Sequence, residues 1–188
     1  MDRDAIRKRP GMYAGNVADG TGLHNLLFEL VTNARAEART GHCDRIDIEL
    51  NADGSVTVRD TGRGIPVDLH PTLGKPVAEI IATTLHAGGR FGEGTGDGIG
   101  LAVVNALSEI LCLRIRRDGT EYVLRFRQGK REATLQTVGS TTMRGTEVTF
   151  TPDAAIFSGT RFDAATIERR LRALAVTGAT VTLTDRRA

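Results

Sequence analysis

With 188 residues, 40% of them hydrophobic and 26% charged with both signs interspersed, the chain can bury one hydrophobic core and lacks the composition of a disordered segment. Its net charge of +2 does not mark a nucleic-acid binder, and no apolar run approaches the roughly 20 residues that a membrane helix requires. Cys43 and Cys112 form no CxxC pattern, and His24, His42, His70 and His86 have no ligand spacing. Neither a disulfide framework nor a transition-metal site is indicated, and a reduced, cytoplasmic setting is expected.

In chain order, Pro10-Gly11 reads as a loop. After Gly20-Thr21-Gly22, the residues Leu23, Leu26, Leu27, Leu30, Val31, Ala34 and Ala38 recur with a helical period, and Gly41 is a plausible cap. Residues 46–50 and 56–60 alternate as strands, and the turn Asn51-Ala52-Asp53-Gly54 between them predicts a hairpin that delivers Asp60 to a sheet end. Residues 76–86 predict a second helix with Val77, Ile80, Ile81 and Leu85 inward. Between 88 and 100, glycines are too dense for a regular element, whereas residues 101–107 begin a buried helix. Residues 111–115, 122–126, 133–138 and 147–150 predict successive antiparallel strands, punctuated by Asp118-Gly119, Gln128-Gly129 and Arg144-Gly145. A helix over 162–175, with Ile167, Leu171 and Leu174 on one face, precedes a strand over 180–183. Helices early and late around a mostly antiparallel sheet predict an α+β sandwich, and with no repeat or linker the whole of 1–188 reads as one domain.

Three features carry chemistry. Glu29 and Asn33, four residues apart on one helix face, offer a carboxylate for proton work and an amide oxygen for a metal. Asp60, at a strand end before Thr61-Gly62-Arg63-Gly64-Ile65-Pro66, can accept from an amine such as that of adenine, while the glycines let backbone approach a flat ring; the same run is also the mark of a tight turn. The glycine-rich stretch ahead of the helix at 101 suits a phosphate group, through free N–H groups and the helix dipole, or serves as a flexible linker. Basic clusters at Arg3, Arg7, Lys8 and Arg9, at Arg114, Arg116 and Arg117, and at Arg169, Arg170 and Arg172 are phosphate-contacting patches or solvated faces.

Taken together, Arg7-Lys8-Arg9-Pro10-Gly11-Met12-Tyr13, Gly20-Thr21-Gly22-Leu23-His24, Phe28-Glu29-Leu30-Val31-Thr32-Asn33-Ala34, residues 60–66, Leu85-His86-Ala87-Gly88-Gly89 and Val103-Val104-Asn105-Ala106-Leu107-Ser108 resemble the ATPase domain of the gyrase B and topoisomerase IV family, essentially end to end. The resemblance implies the GHKL, or Bergerat, fold: a two-layer sandwich with helices on one face of a mixed, mostly antiparallel sheet. It implies ATP and Mg2+ as ligands, with Glu29 as the general base and Asn33 as the magnesium ligand. Asp60 and Thr146 would read the adenine edge, Gly64, Ile65 and Pro66 would form the wall beneath the base, and Glu37 and Arg63 would pair at the pocket mouth. Gly98 and Gly100 would touch the phosphates, and Arg117 would sit at the rim where aminocoumarin inhibitors bind.

The implied activity is the ATPase part of a type II topoisomerase, meeting DNA and a gyrase A-type subunit only through the full enzyme, with no transducer, cleavage or TOPRIM domain in these 188 residues. The isolated chain is expected to be monomeric and away from membranes. The pattern departs at Asn25, in place of a second histidine, at Thr32 and Ala36, in place of acids, and at Asp97, in place of a lid histidine. These departures leave open a stand-alone nucleotide-binding module with weak or no hydrolysis.

Overall fold

The computed structural model describes residues 2–85, 87 and 100–187. Gly98, Asp97, the rest of the glycine-rich stretch before Gly100, and the end of the expected helix at His86 lie outside the described residues.

The chain opens with α1 (Asp2–Lys8), whose acidic first turn and basic last turn both suit the helix dipole. Pro10-Gly11, expected as a loop, instead begins α2 (Pro10–Ala14). Proline at the first helical position has no N–H to lose and a φ already suited to the helix. The long α3 (Thr21–Arg39) buries every residue of the predicted apolar stripe. It starts close against the preceding loop: Gly22 N donates to Asn16 O at 2.7 Å, and a Cβ at Gly22 would lie 2.9 Å from that oxygen.

The strands β1 (Arg45–Leu50) and β2 (Val56–Asp60) form the predicted hairpin, with Ile46 opposite Asp60. Among the described residues two short helices follow, α4 (Val77–Thr83) and α5 (Leu101–Ala106). Then come β3 (Ser108–Arg117), β4 (Thr120–Arg127), β5 (Lys130–Arg131), β6 (Gln136–Ser140), β7 (Gly145–Pro152), α6 (Ala164–Leu174) and β8 (Thr180–Asp185). Asp163 caps α6 by accepting from Thr166 N at 2.6 Å.

The sheet order is β5-β4-β3-β7-β2-β1-β8, with β6 also on β4. The expected run of successive neighbours therefore holds from β3 through β4 to β6 and fails at β7, which pairs with β3 and β2 instead of β6. The strand expected over 133–138 is displaced to β6, five exposed residues that fold back on the β4 edge. Strand β7, whose alternate residues are buried, crosses to the other side of β3 and joins it to β2, with Val148 opposite both Val58 and Leu113. An apolar strand is stabilised more in the middle of the sheet than beside an exposed edge. β8 closes the sheet parallel to β1; the other pairings are antiparallel.

One sheet face carries Ile46, Ile48, Leu50, Val58, Leu111, Leu113, Ile115, Phe126, Val148 and Phe150, in a single core with the apolar face of α3. The opposite face is polar. There Arg59 pairs with Glu147 at 2.7 Å, Arg116 with Glu121 at 2.8 Å and Glu147 at 3.1 Å, and Arg114 with Glu121. Two members of the basic cluster at 114–117 are thus matched to carboxylates on neighbouring strands. The architecture is the two-layer α+β sandwich expected from the sequence.

Candidate functional site

The end of β2, the loop after it, the start of β7 and one face of α3 converge. Asp60 Oδ1 accepts from Gly62 N at 2.8 Å and from Thr146 N at 3.2 Å, so its carboxyl is held by main chain on both sides. Burial pushes its pKa up to about 6; the two N–H donors pull the other way, and the nearby Glu37 charge adds to the rise. Asp60 as a whole residue is half-buried. Thr146 Oγ1 accepts from Ile65 N at 3.3 Å, and Arg117 Nη1 donates to Gly64 O at 2.8 Å, which ties the loop to β3 and β7. Pro66 follows, half-buried.

Glycine makes this convergence possible. Gly145 has φ +117, and a Cβ there would sit 1.9 Å from Asp60 O, closer than any non-bonded contact. At Gly64 (φ +76) a Cβ would sit 2.8 Å from Arg116 O. The sequence marks Gly145 only as a turn residue; in the fold it is the residue that lets β7 cross directly over Asp60. The signal for it in the sequence is a glycine immediately before a strand whose next residue, Thr146, is among the candidate site residues.

From the helix side, Glu37 clamps the loop: Oε2 accepts from Arg63 N and Nε, each at 3.1 Å, and Oε1 accepts from Arg63 Nη2 at 2.8 Å. The Arg63 hydrogen bonds hold the Glu37 carboxyl below its usual pKa against a smaller opposing effect of burial. One turn back is Asn33, exposed, and one turn further is Glu29, only 6% exposed. Asn33 Nδ2 lies 3.5 Å from Glu29 Oε1, at the long limit of a hydrogen bond. The structure therefore brings Glu37, Asp60, Arg63, Gly64, Ile65, Arg117 and Thr146 into one bonded set and presents Glu29 and Asn33 from the same helix face. Gly100 stands apart from that set, at the N-cap of α5 with φ +83.

His24 and Asn25 have other tasks. His24 Nδ1 donates to Gly20 O at 2.7 Å while Nε2 accepts from Asp163 N at 3.0 Å, an arrangement that requires the neutral Nδ1–H tautomer. Asn25 donates to Ala14 O at 2.8 Å and accepts from Arg170 Nη1 at 3.0 Å. Its side chain joins α2 to α6.

Residues 18–156 match the family described as Histidine kinase-, DNA gyrase B-, and HSP90-like ATPase. The chain belongs to this ATPase family. The matched range contains Glu29, Asn33, Asp60 and Thr146, so both sides of the cleft lie within the family's domain. Among its relatives are the B subunit of DNA gyrase from Rickettsia typhi, 50% identical over 98% of this chain and 24% of the relative, and the B subunit of DNA gyrase from Caulobacter vibrioides, 46% identical over 96% and 24%. The B subunit of DNA topoisomerase 4 from Streptococcus pneumoniae is 50% identical over 98% of this chain and 30% of its own length. This member of the ATPase family thus spans about a quarter of the length of the curated relatives it matches.

Proposed function

We propose that this domain binds and hydrolyses ATP as the nucleotide-driven part of a type II DNA topoisomerase. The observation that carries the reading is Asp60, an acid packed at a strand end whose Oδ1 is held by two backbone N–H groups. Oδ2 then serves as acceptor for the exocyclic amine of adenine, and the Thr146 hydroxyl beside it orients the same edge of the base. Gly64, Ile65 and Pro66 form the floor. Ionised Asp60 is required as the acceptor, which makes binding weaken as pH falls through about 6.

Glu29, four residues before Asn33, orients and deprotonates the water that attacks the terminal phosphate. Its burial in α3 fixes the direction from which the water is held. Asn33 fits a magnesium ligand: its amide nitrogen faces Glu29, which leaves Oδ1 as the donor oxygen, and magnesium commonly takes only one or two protein oxygens beside those of the phosphates. When bound, the ion neutralises phosphate charge. Gly100, and Gly98 before it, contribute backbone N–H groups to the phosphates. Arg63 and Arg117 stand at the rim, where an aminocoumarin-type inhibitor would meet them.

DNA and a gyrase A-type subunit are partners of the full enzyme, in the cytoplasm. No helix among the described residues is long and apolar enough to cross a membrane. Titration with a non-hydrolysable ATP analogue and Mg2+ tests the reading; absence of binding at millimolar analogue overturns it. Nucleotide binding without turnover is the second reading. It rests on Asn25, which is committed to Ala14 and Arg170 instead of assisting Glu29. Phosphate release that depends on Glu29 removes this alternative.

A further inference from the structure

Away from the nucleotide cleft, α3 and α6 enclose a groove of about 370 Å3 lined by Phe28, Thr32, Arg35, Arg170, Ala173 and Leu174. Its two cations are unlike Arg59, Arg114 and Arg116 of the sheet face, each of which meets a glutamate. The Arg170 guanidinium lies 4.0 Å from the centroid of the Phe28 ring and donates to the neutral Asn25 Oδ1. Burial lowers its pKa, and no carboxylate among the described residues offsets the effect. Arg35 Nε is buried without a hydrogen-bond partner among the described residues. No acid is among the lining residues. Thr32 lines the groove with a hydroxyl, which brings no counter-charge.

We propose that this groove docks a polypeptide segment bearing an acidic side chain next to an apolar residue, with the carboxylate received by Arg35 and Arg170. The apolar neighbour packs on Phe28, Ala173 and Leu174, and the carboxylate gives the desolvated Arg170 its missing counter-charge. The Arg35 side chain makes no hydrogen bond through Nε, so turning it onto the ligand satisfies that group and breaks nothing there. A protein segment suits this site better than a nucleic-acid backbone. A phosphodiester brings no apolar group to cover an aromatic and aliphatic floor, and the neighbouring cations on α6 are already engaged: Arg169 donates to Thr166, and Arg172 lies 3.8 Å from Glu168.

Side-chain NMR of the Nε–Hε groups, with acetyl-leucyl-glutamyl-leucinamide as the probe, tests the proposal on the chain as it stands. The peptide is expected to shift Arg35 and Arg170 with millimolar affinity, and replacing its glutamyl residue with glutaminyl should weaken binding by about tenfold, the scale of one lost charge-assisted hydrogen bond. Thr32→Asp puts a carboxylate inside the groove and should abolish binding, with the fold checked from the backbone amide spectrum. Asp60→Asn should leave peptide binding intact, which separates this site from the nucleotide cleft. Three results overturn the proposal: no shift of either arginine at millimolar peptide, equal binding of the glutaminyl probe, or stronger shifts of the same arginines by a short DNA duplex than by the peptide. The glutaminyl probe requires no protein variant, so the outcome does not depend on any substitution folding.

Discussion

The two sides of the cleft are built in different ways. At the strand end, the Asp60 carboxyl, the loop after it and the start of β7 are locked by main chain: Gly62 N and Thr146 N on one oxygen, and Gly145 pressed against Asp60 O where no side chain fits. On the helix side, Glu29 and Asn33 owe their placement to a four-residue spacing on α3 and touch at only 3.5 Å. On the proposed reading, recognition at one end is part of the fold itself, whereas the reactive groups at the other are side chains on a helix already stabilised by its apolar stripe. Changes to the main-chain packing at the strand end should move stability and binding together; changes on the helix should separate binding from chemistry.

The largest effect is expected at Glu29. On the proposed reading, Glu29→Gln keeps the shape of the side chain and removes the base, so ATP turnover should fall about 10²–10⁴-fold while affinity for a non-hydrolysable analogue stays the same. Phosphate release and calorimetric titration of the same preparation check this. If affinity fell in step with turnover, the helix face would be as much part of recognition as the strand end, and the contrast would fail.

Gly145→Ala probes the opposite side. A Cβ at φ +117 would collide with the Asp60 carbonyl, so β7 must shift or the Asp60 loop must give way. The expected loss is roughly 2–4 kcal/mol of unfolding free energy, the scale of strained backbone plus overpacking. Urea denaturation measures it, and analogue binding should weaken in the same variant. A stable Gly145→Ala protein with unchanged binding would show that the close crossing is not what holds the acid in place.

Asp60→Asn separates the two contributions of one side chain. Because the folded-state pKa is raised from 3.8 to about 6, the folded form holds the proton more tightly than the unfolded form. The stabilising effect of protonation is complete below about pH 4 and is lost as pH rises through 6. An amide at this position still accepts from Gly62 N and Thr146 N but never has to ionise. The variant should therefore gain about 1–3 kcal/mol over the native protein at pH 7 to 8, with the difference vanishing near pH 4, and should lose analogue binding. Denaturation curves at several pH values check the slope. A variant less stable than the native protein at pH 8 would mean that the charge of Asp60 serves the fold.

Much of this site is legible without coordinates because it depends on local rules. The i, i+4 spacing places Glu29, Asn33 and Glu37 on one face, and the hairpin turn at 51–54 brings Asp60 to a sheet end; both follow from short-range geometry. What escapes is non-local. Nothing in the alternation of β7 says that it pairs with β2 and β3 instead of with β6, and without that crossover Gly145 looks like any turn glycine. Pro10-Gly11 misleads for another reason, since the same dipeptide punctuates a loop or opens a helix depending on what packs behind it. Arg35 and Arg170, distant in sequence, become a pair of cations only when α6 lies beside α3.

The smallest effect is expected where the two sides meet. Glu37 on α3 holds the loop through three bonds to Arg63, but both partners remain partly open to solvent, so the pair should contribute only about 0.5–1 kcal/mol. Its pKa lies below the reference value of 4.5, so this contribution is present above that pH and is lost as pH falls through the lowered folded-state value. Glu37→Gln keeps one acceptor for Arg63 N and removes the charge. Stability at pH 7 should drop slightly, the difference from the native protein should close in acid, and analogue affinity should fall only a few-fold as the loop loosens. A large loss of binding with little loss of stability would make Glu37 a direct ligand of the nucleotide, and the helix would then share recognition with the strand end.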